Sequence, residues 1–236
     1  MNTNSTQKHR ILDPNSIVLQ ANDLGLKTLA DWVESGIVDV APDFQRRDRW
    51  NTEKQSALIE SFLLNLPIPP VYLAEEAETG QYSVIDGRQR LTAIHSFLYG
   101  DLRLTKLEEL TDLEGVTYAD LEVGLRSRLE MRPLRTVALM NQTDPSAKYL
   151  VFKRLNTGGE TLNAQEIRNV AYRGKLNNLI LKLSGNEFLK QQLKIDDSGK
   201  SNAYTKMQDA EFVLRYLTMR DSWETFSGDF IASMDK

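Results

Sequence analysis

Apolar residues recur along the chain at two different spacings, which predict a protein of mixed α and β structure. A spacing of three to four residues predicts one helix over 27–35 and another that begins after a cap at Asn51 or Thr52. Short apolar runs over 71–74 and 82–85 predict an antiparallel hairpin, because a charged turn separates them. Further strands are predicted over 37–40, 102–104 and 136–140, and a further helix over 118–129.

From Asp144 onward the spacing of apolar residues becomes helical. Helices are predicted over 145–155, 164–173, 176–183 and 206–219, and an exposed loop over 196–202. The pattern therefore predicts an α+β fold, in which a small mixed sheet with helices is followed by a helical C-terminal subdomain. We expect an N-terminal extension over 1–24, a core over 25–140 and the helical subdomain over 141–236.

The composition is typical of a globular protein. Of the 236 residues, 41% are hydrophobic and 26% are charged, and a chain of this length can bury a substantial core. No apolar run approaches the roughly 20 residues that a membrane-spanning helix needs, and the polar start over 1–10 is not typical of a secretion signal. We therefore expect a cytoplasmic protein with no membrane partner.

Two residue types that carry much enzyme chemistry are scarce. Cysteine is absent, which excludes disulfides, thiolate nucleophiles and cysteine metal sites. Only two histidines occur, so an imidazole-based metal site or a histidine-centred nuclease cannot be assembled from this chain alone.

The net charge of −4 argues against a uniformly basic nucleic-acid-binding surface, although a local basic cluster can still bind. One such cluster consists of Arg46, Arg47, Arg49 and Lys54, with acidic residues between them. Two interpretations stay open. Arg47, Arg49 and Lys54 contact DNA, with Trp50 stacking on a base, or the cluster is a solvated face of mixed charge and Trp50 is part of the core.

The segment 82–92 places dense polar chemistry directly after a predicted strand. The strand ends at Asp86, the chain turns at Gly87, and a helix begins with Arg88 and Arg90. Free backbone N–H groups at a helix N-terminus carry partial positive charge, and guanidinium groups bind phosphate oxygens in pairs. Arg88 and Thr92 share one helix face. The segment predicts a phosphate site; the alternative is that Asp86 caps the helix and both arginines are solvated.

A second polar group joins two predicted helices through a Gly-Gly turn at 158–159. On the second of these helices four polar residues lie opposite the apolar stripe: Gln165, Glu166, Arg168 and Asn169. One interpretation is that Asn156 ends the first helix, Asn163 caps the second, and the rest are solvated. Capping alone does not require the polar residues after Asn163, which favours a ligand-facing surface opposite the Asp86 turn.

Three of these segments occur in the order found in a known family. They are Asp43-Phe-Gln-Arg46 with Trp50, Ile85-Asp-Gly-Arg-Gln-Arg-Leu-Thr92, and Phe152-Lys-Arg-Leu-Asn-Thr-Gly-Gly-Glu160 leading to Glu166-Ile-Arg-Asn169. Over roughly residues 25–220 the chain resembles the DGQQR-motif domain, the N-terminal part of GmrSD-like modification-dependent restriction enzymes and related phage-defence proteins. The resemblance implies a core with a ParB/sulfiredoxin-like fold, while sulfiredoxin chemistry is excluded because it needs a cysteine.

The resemblance implies nucleotide binding and hydrolysis that control an attached DNA-cleaving domain when modified or phage DNA is met. Relatives often carry a C-terminal HNH-type nuclease. This chain has too few histidines for such a domain and no room for it before Lys236, so we expect another chain or a missing C-terminal segment to supply it. The implied partners are a nucleotide, DNA and that nuclease.

By position, the family motif falls on residues 86–90, where Arg88 replaces the usual glutamine and adds charge to its hydrogen-bond donors. Asp86, Gln89 and Arg90 are the implied catalytic residues, with Asp86 positioning a metal or a water. A larger set is implied to bind nucleotide: Arg46, Gly87, Arg88, Thr92, Asn156, Glu166, Arg168 and Asn169. Mg²⁺ is the expected cofactor, with Asp86 and Glu166 as candidate ligands.

The leading prediction is thus a nucleoside triphosphate-hydrolysing domain that controls a restriction-type defence activity, since phosphoryl transfer needs mainly positioning and charge neutralisation. Two alternatives stay open. One is a non-catalytic module that senses a nucleotide or modified DNA. The other is a ParB-like nuclease, although the carboxylates are too scattered along the sequence to define a metal centre.

Overall fold

A computed structural model describes residues 16–40, 50–155, 163–172, 174–195 and 201–234. The strands are β1 (Leu19–Gly25), β2 (Val38–Asp39), β3 (Val71–Glu75), β4 (Tyr82–Asp86) and β5 (Pro133–Leu139). The α-helices are α1 (Leu26–Glu34), α2 (Thr52–Leu63), α3 (Arg88–Leu98), α4 (Val123–Glu130), α5 (Pro145–Leu155), α6 (Ala164–Ala171), α7 (Lys175–Ser184), α8 (Glu187–Gln192), α9 (Asn202–Thr205), α10 (Gln208–Ser222) and α11 (Phe230–Met234). The predicted α+β class is confirmed.

The strands form one mixed sheet in the order β1-β5-β3-β4-β2. The predicted hairpin is β3 paired antiparallel with β4, and β1 pairs antiparallel with β5. The pairs β3–β5 and β2–β4 are parallel. A register irregularity after Tyr72 places that residue opposite Asp86 at the end of the hairpin. This mixed sheet is compatible with a ParB-like fold.

Helices cover both faces of the sheet, because its strands alternate apolar residues toward each side. The larger core lies under α1 to α4 and includes Leu29, Ile59 and Phe97. A second cluster on the other face joins the sheet to α5 and α6: Ala74, Ile85, Leu139, Phe152 and Ile167. A third cluster lies among the C-terminal helices: Ile180, Met207, Ala210 and Val213. The strand that ends at Asp86 therefore packs against an apolar cluster on each face of the sheet.

The strand predicted over 102–104 is wrong. Leu104 is fully buried, yet the segment is a loop that exchanges backbone hydrogen bonds with Gly115 and Val116. Side chains of α2 hold the residues that follow, since Ser56 Oγ accepts a bond from the Thr105 N–H at 3.0 Å. The apolar residues of this segment are placed as in a strand because they are buried, but the segment pairs with none of the described strands.

Several further elements differ from the prediction. The helix predicted over 118–129 begins as a separate 3-10 turn at Tyr118–Asp120, which has its own capping box, before α4 begins at Val123. Four of the described strands and α-helices were not predicted: β1, α8, α9 and α11. Residues 19–24, assigned to an N-terminal extension, form most of β1 at the sheet edge. The boundary at residue 140 stays a prediction. None of the described helices combines the length and the apolar character that crossing a bilayer requires.

Candidate functional site

The turn between β4 and α3 is built around Gly87, which has a φ of 96° in the left-handed region. This glycine is the N-cap of α3, and no side chain caps the helix there, so Asp86 is not its cap. A Cβ added to Gly87 would lie 2.8 Å from Val71 Cγ2 and 3.0 Å from Arg90 Nη2. Glycine is thus required by both the backbone conformation and the space.

Replacing Gly87 with alanine is expected to lower the free energy of unfolding by about 2 kcal/mol, since it adds left-handed strain and a close contact. Gly80→Ala is the matched control: Gly80 also has a positive φ, of 67°, but its Cβ would meet nothing within 4 Å. We expect the control to cost about 1 kcal/mol from the backbone alone. Urea denaturation of the two variants measures the difference; equal losses would show that the space at Gly87 is not restricted.

Arg90 is a largely buried cation at the base of this turn. Its Nη2 donates to Asp86 Oδ2 at 2.8 Å and to the Pro70 carbonyl at 3.1 Å. The Arg90 side chain is 14% exposed, whereas that of Asp86 is 49% exposed. The alternative of a solvated first-turn arginine is therefore wrong for Arg90, and the exposed carboxylate beside it is the group that a ligand could reach.

Side chains in the first turn of α3 also bond to the backbone on either side of the segment 41–49. Arg88 Nε donates to the Val40 carbonyl at 2.7 Å, and Gln89 Oε1 accepts a bond from the Trp50 N–H at 3.0 Å. Val40 and Trp50 border the segment 41–49. The predicted site residues Arg46, Arg47 and Arg49 belong to that segment and lie outside the described residues, but both of its neighbours contact the candidate site.

Thr92, Trp50 and one residue of the predicted basic cluster, Lys54, lie within the described structure. Thr92 is half-buried one helical turn after Arg88, and Lys54 is exposed in the first turn of α2. Trp50 is half-buried and packs against the larger core, which favours its structural interpretation over base stacking. The amide oxygen of Gln89 is already used to hold Trp50, which leaves its amide nitrogen for any contact with a ligand.

The capping interpretation of α6 is confirmed for Asn163. Its side-chain oxygen accepts bonds from the N–H groups of Gln165 and Glu166, at 2.9 and 3.0 Å. Glu166 Oε2 completes a capping box by accepting from the Asn163 N–H at 2.6 Å. Asn156, the other predicted cap, lies outside the described part of the chain. One oxygen of Glu166 is thus committed to the helix start.

The polar face predicted on α6 exists, but three of its four residues are buried and Glu166 is half-buried. Gln165 is 2% exposed, Arg168 4% and Asn169 0%. The reason is that α6 lies between the sheet and the C-terminal helices: Ile167 belongs to the sheet cluster with Ile85, while Asn177 of α7 donates to Asn169 Oδ1 at 2.7 Å. The sequence pattern could not reveal this, since the helical spacing of apolar residues does not show which neighbouring helices pack against the polar face of α6.

Several buried polar atoms in these segments have no hydrogen-bond partner in the described structure. They include Arg90 Nε, Gln165 Oε1 and Asn169 Nδ2. An unsatisfied buried polar group costs about 1–3 kcal/mol, so native proteins usually provide a partner, an ordered water or a ligand. The first turn of α3 and the buried face of α6 therefore both hold polar atoms that an ordered water or a polar ligand would satisfy.

The carboxylates offer limited support for a metal. Among the residues that the structure describes, no group of three or more His, Cys, Asp or Glu side chains is placed to hold an ion. Asp86 is paired with Arg90, and Glu166 belongs to the capping box. Mg²⁺ commonly uses only one or two carboxylates and completes its shell with phosphate oxygens and water. The exposed carboxylate of Asp86 fits that mode.

A family model described as the GmrSD restriction endonuclease, N-terminal domain, matches residues 27–173. The matched range is more than half of the chain and runs from α1 to the end of α6, so it includes the turn at Gly87 and the buried polar face. No curated protein and no solved structure matches the chain. The chain therefore belongs to the family of the GmrSD restriction endonuclease N-terminal domain.

Proposed function

We propose that this chain binds a nucleoside triphosphate at the start of α3 and hydrolyses it, and that turnover controls a DNA-directed restriction activity. The family connects the chain with restriction-type defence and with DNA. The observation that carries the nucleotide proposal is the N-terminus of α3, which has a left-handed glycine and no side-chain cap, with Arg88 and Arg90 in the first turn. Backbone N–H groups at a helix N-terminus and guanidinium groups are donors that phosphate oxygens accept.

The proposed roles follow from the contacts of each residue. The N–H groups after Gly87 and the side chain of Arg88 bind phosphate oxygens, and Arg90 stabilises charge through its unsatisfied Nε. Asp86 is exposed beside Arg90, where its carboxylate can orient an attacking water or hold Mg²⁺. Mg²⁺, when bound, would neutralise phosphate charge. Arg46 remains a proposed second phosphate ligand.

A second candidate function is a sensor that binds a nucleotide or modified DNA without turnover. It is favoured by the ion pair between Asp86 and Arg90, since the carboxylate oxygen that accepts from Arg90 is engaged and less available to orient an attacking water. In either case the DNA-cleaving activity is proposed to come from a nuclease domain on another chain or in a further part of the same protein.

Phosphate release from ATP, GTP, CTP and UTP, with and without Mg²⁺, tests the proposal. We expect hydrolysis by the unmodified chain and a loss of at least about tenfold in Asp86→Asn, because the carboxylate that orients water is neutralised. Asp101→Asn, an exposed aspartate just after α3, is the matched control and is expected to keep full activity. Binding without phosphate release would support the sensor. Absence of both binding and hydrolysis would refute the nucleotide proposal.

A further inference from the structure

The strand β1 lies at the edge of the sheet, and its outer side is open. In the described part of the chain it has one neighbouring strand, β5, and it lies at the end of the sheet opposite β2. Residues 19–23 are all exposed, although successive residues of a strand point to opposite faces. Neither face of the sheet is therefore covered at this edge, and Leu19 is 55% exposed there.

The hydrogen bonds to β5 show which backbone groups of β1 point outward. Just before the strand, the Val18 carbonyl accepts a bond from the Met140 N–H at 2.9 Å, and just after it the Leu26 N–H donates to the Arg132 carbonyl at 3.1 Å. In an antiparallel ladder, the residues of one strand alternate between facing the partner strand and facing away from it. The residues that direct their N–H and C=O groups away from β5 are therefore the odd-numbered ones: Leu19, Ala21 and Asp23.

This edge lacks the features that commonly prevent a strand from pairing with another chain. Natural edge strands are often protected by lysine, by proline or by being very short. The opposite edge strand, β2, has only two residues, whereas β1 has seven and contains no lysine, arginine or proline. Its single charged side chain is Asp23, whose carboxylate accepts two bonds from Arg135, at 2.9 and 2.7 Å. Because this charge is already paired, it does not repel an identical strand.

We infer that two copies of this chain associate by antiparallel pairing of β1 with β1, which joins two five-stranded sheets into one. A two-fold axis beside Ala21 places Ala21 opposite Ala21 and Leu19 opposite Asp23, so the outward backbone groups of both strands pair in about six N–H···O bonds. Gln20 then lies opposite Asn22, and each of these amides can both donate and accept. No like charges lie opposite each other in this register, so the strand is complementary to itself.

The pairing leaves the candidate functional site of each copy accessible. The strand β4, which leads into the turn at Gly87, lies three positions from β1 in the sheet. The inference is therefore independent of the proposed function. A single pair of strands buries less than the roughly 1,200–2,000 Å² of standard stable interfaces, so we expect a reversible dimer with a dissociation constant of about 1–100 μM.

Sedimentation velocity of the full chain at concentrations up to about 200 μM tests the inference, and we expect a monomer–dimer equilibrium. In Ala21→Lys the dissociation constant is expected to rise at least about tenfold, because two lysines would lie opposite each other across the axis. Thr28→Lys, which adds the same charge at an exposed position of α1, is the control and is expected to dimerise like the original chain. A chain that stays monomeric throughout, or a dimer that Ala21→Lys does not weaken, would overturn the inference.

Cross-linking at single cysteines gives a second measurement that does not depend on weakening the dimer. The chain contains no cysteine, so Ala21→Cys introduces a unique thiol. Directly opposed residues of such a pair have Cα atoms about 5.5 Å apart, so a short bismaleimide is expected to link the two copies at concentrations where the dimer forms. Thr28→Cys is the control and should link only at the level of random collision. Equal linking of the two variants would show that β1 is not the contact between copies.

Discussion

Replacing Arg90 with methionine is expected to reduce the rate of nucleoside triphosphate hydrolysis by about 100-fold, because the first turn of α3 loses a largely buried cation. Arg90 Nη2 links Asp86 to the Pro70 carbonyl, and its Nε is buried without a partner in the described structure. Methionine fills similar space without charge. The measurement is the rate of phosphate release at saturating nucleotide and Mg²⁺.

Arg128→Met is the matched control for this variant. Arg128 is exposed on α4 and bonds to the Gly124 carbonyl of its own helix, so the change is expected to leave hydrolysis unaffected. Thermal denaturation of both variants separates a catalytic effect from unfolding. An Arg90→Met protein that is folded and hydrolyses at the original rate would contradict the role proposed for Arg90.

Replacing Glu60 with glutamine is expected to lower the free energy of unfolding by about 3 kcal/mol at neutral pH, which is the largest stability effect that we predict. Glu60 is a buried carboxylate on α2 that accepts backbone N–H bonds from three consecutive residues. Glu109 and Leu110 donate to Oε1, each at 2.8 Å, and Glu108 donates to Oε2 at 3.2 Å. Glutamine would keep one acceptor oxygen and turn an NH₂ group toward at least one of these donors. Urea denaturation measures the loss.

The pH dependence gives this second prediction a distinct signature. Burial by itself would raise the pKa of Glu60, but the three backbone N–H bonds outweigh it and lower that pKa below the usual 4.5. A carboxylate with a lowered pKa stabilises the fold above its unfolded pKa and loses that contribution as pH falls through the folded value. The difference between the original chain and Glu60→Gln should therefore shrink below about pH 4.5.

Glu109→Gln is the control for the Glu60 experiment. Glu109 is exposed and contributes only its backbone N–H to the contact, so its side chain is expected to change the unfolding free energy by less than about 0.5 kcal/mol. A difference between Glu60→Gln and the original chain that stays constant down to pH 3 would contradict the role assigned to the ionised carboxylate.

The predictable parts of the fold are those that depend on neighbours in sequence. The hairpin of β3 and β4 follows from two apolar runs around a short turn, and the caps at Asn51 and Asn163 follow from side chains that bond to backbone two or three residues ahead. The edge strand β1 was missed because its residues are mostly exposed and do not alternate between apolar and polar. Residues 102–104 were wrongly predicted as a strand. The loop that they begin is held by Ser56 and Glu60, which bond to Thr105 and Leu110 and lie some fifty residues earlier in the chain.

Part of the candidate site could likewise be predicted from the sequence, and part could not. Asp86, Gly87 and the arginines of α3 are recognisable from sequence, because a strand, a glycine and a basic helix start are consecutive. Three hydrogen bonds of this turn join positions between 20 and 48 residues apart. Arg90 bonds to the Pro70 carbonyl, Arg88 to the Val40 carbonyl, and Gln89 to the Trp50 N–H. No local pattern encodes such contacts.

By itself, the sequence determined the α+β class, the strand-turn-helix segment at Gly87 and the order of motifs that places the chain in its family. Only the tertiary structure decided that Arg90 is largely buried beside an exposed Asp86, and that the polar face of α6 is enclosed. The physical reason is that helix and turn preferences act over a few residues, whereas burial depends on which distant element covers a side chain. For Gln165 and Asn169, packing between the sheet and the C-terminal helices turned ordinary helix residues into buried amides with unsatisfied atoms.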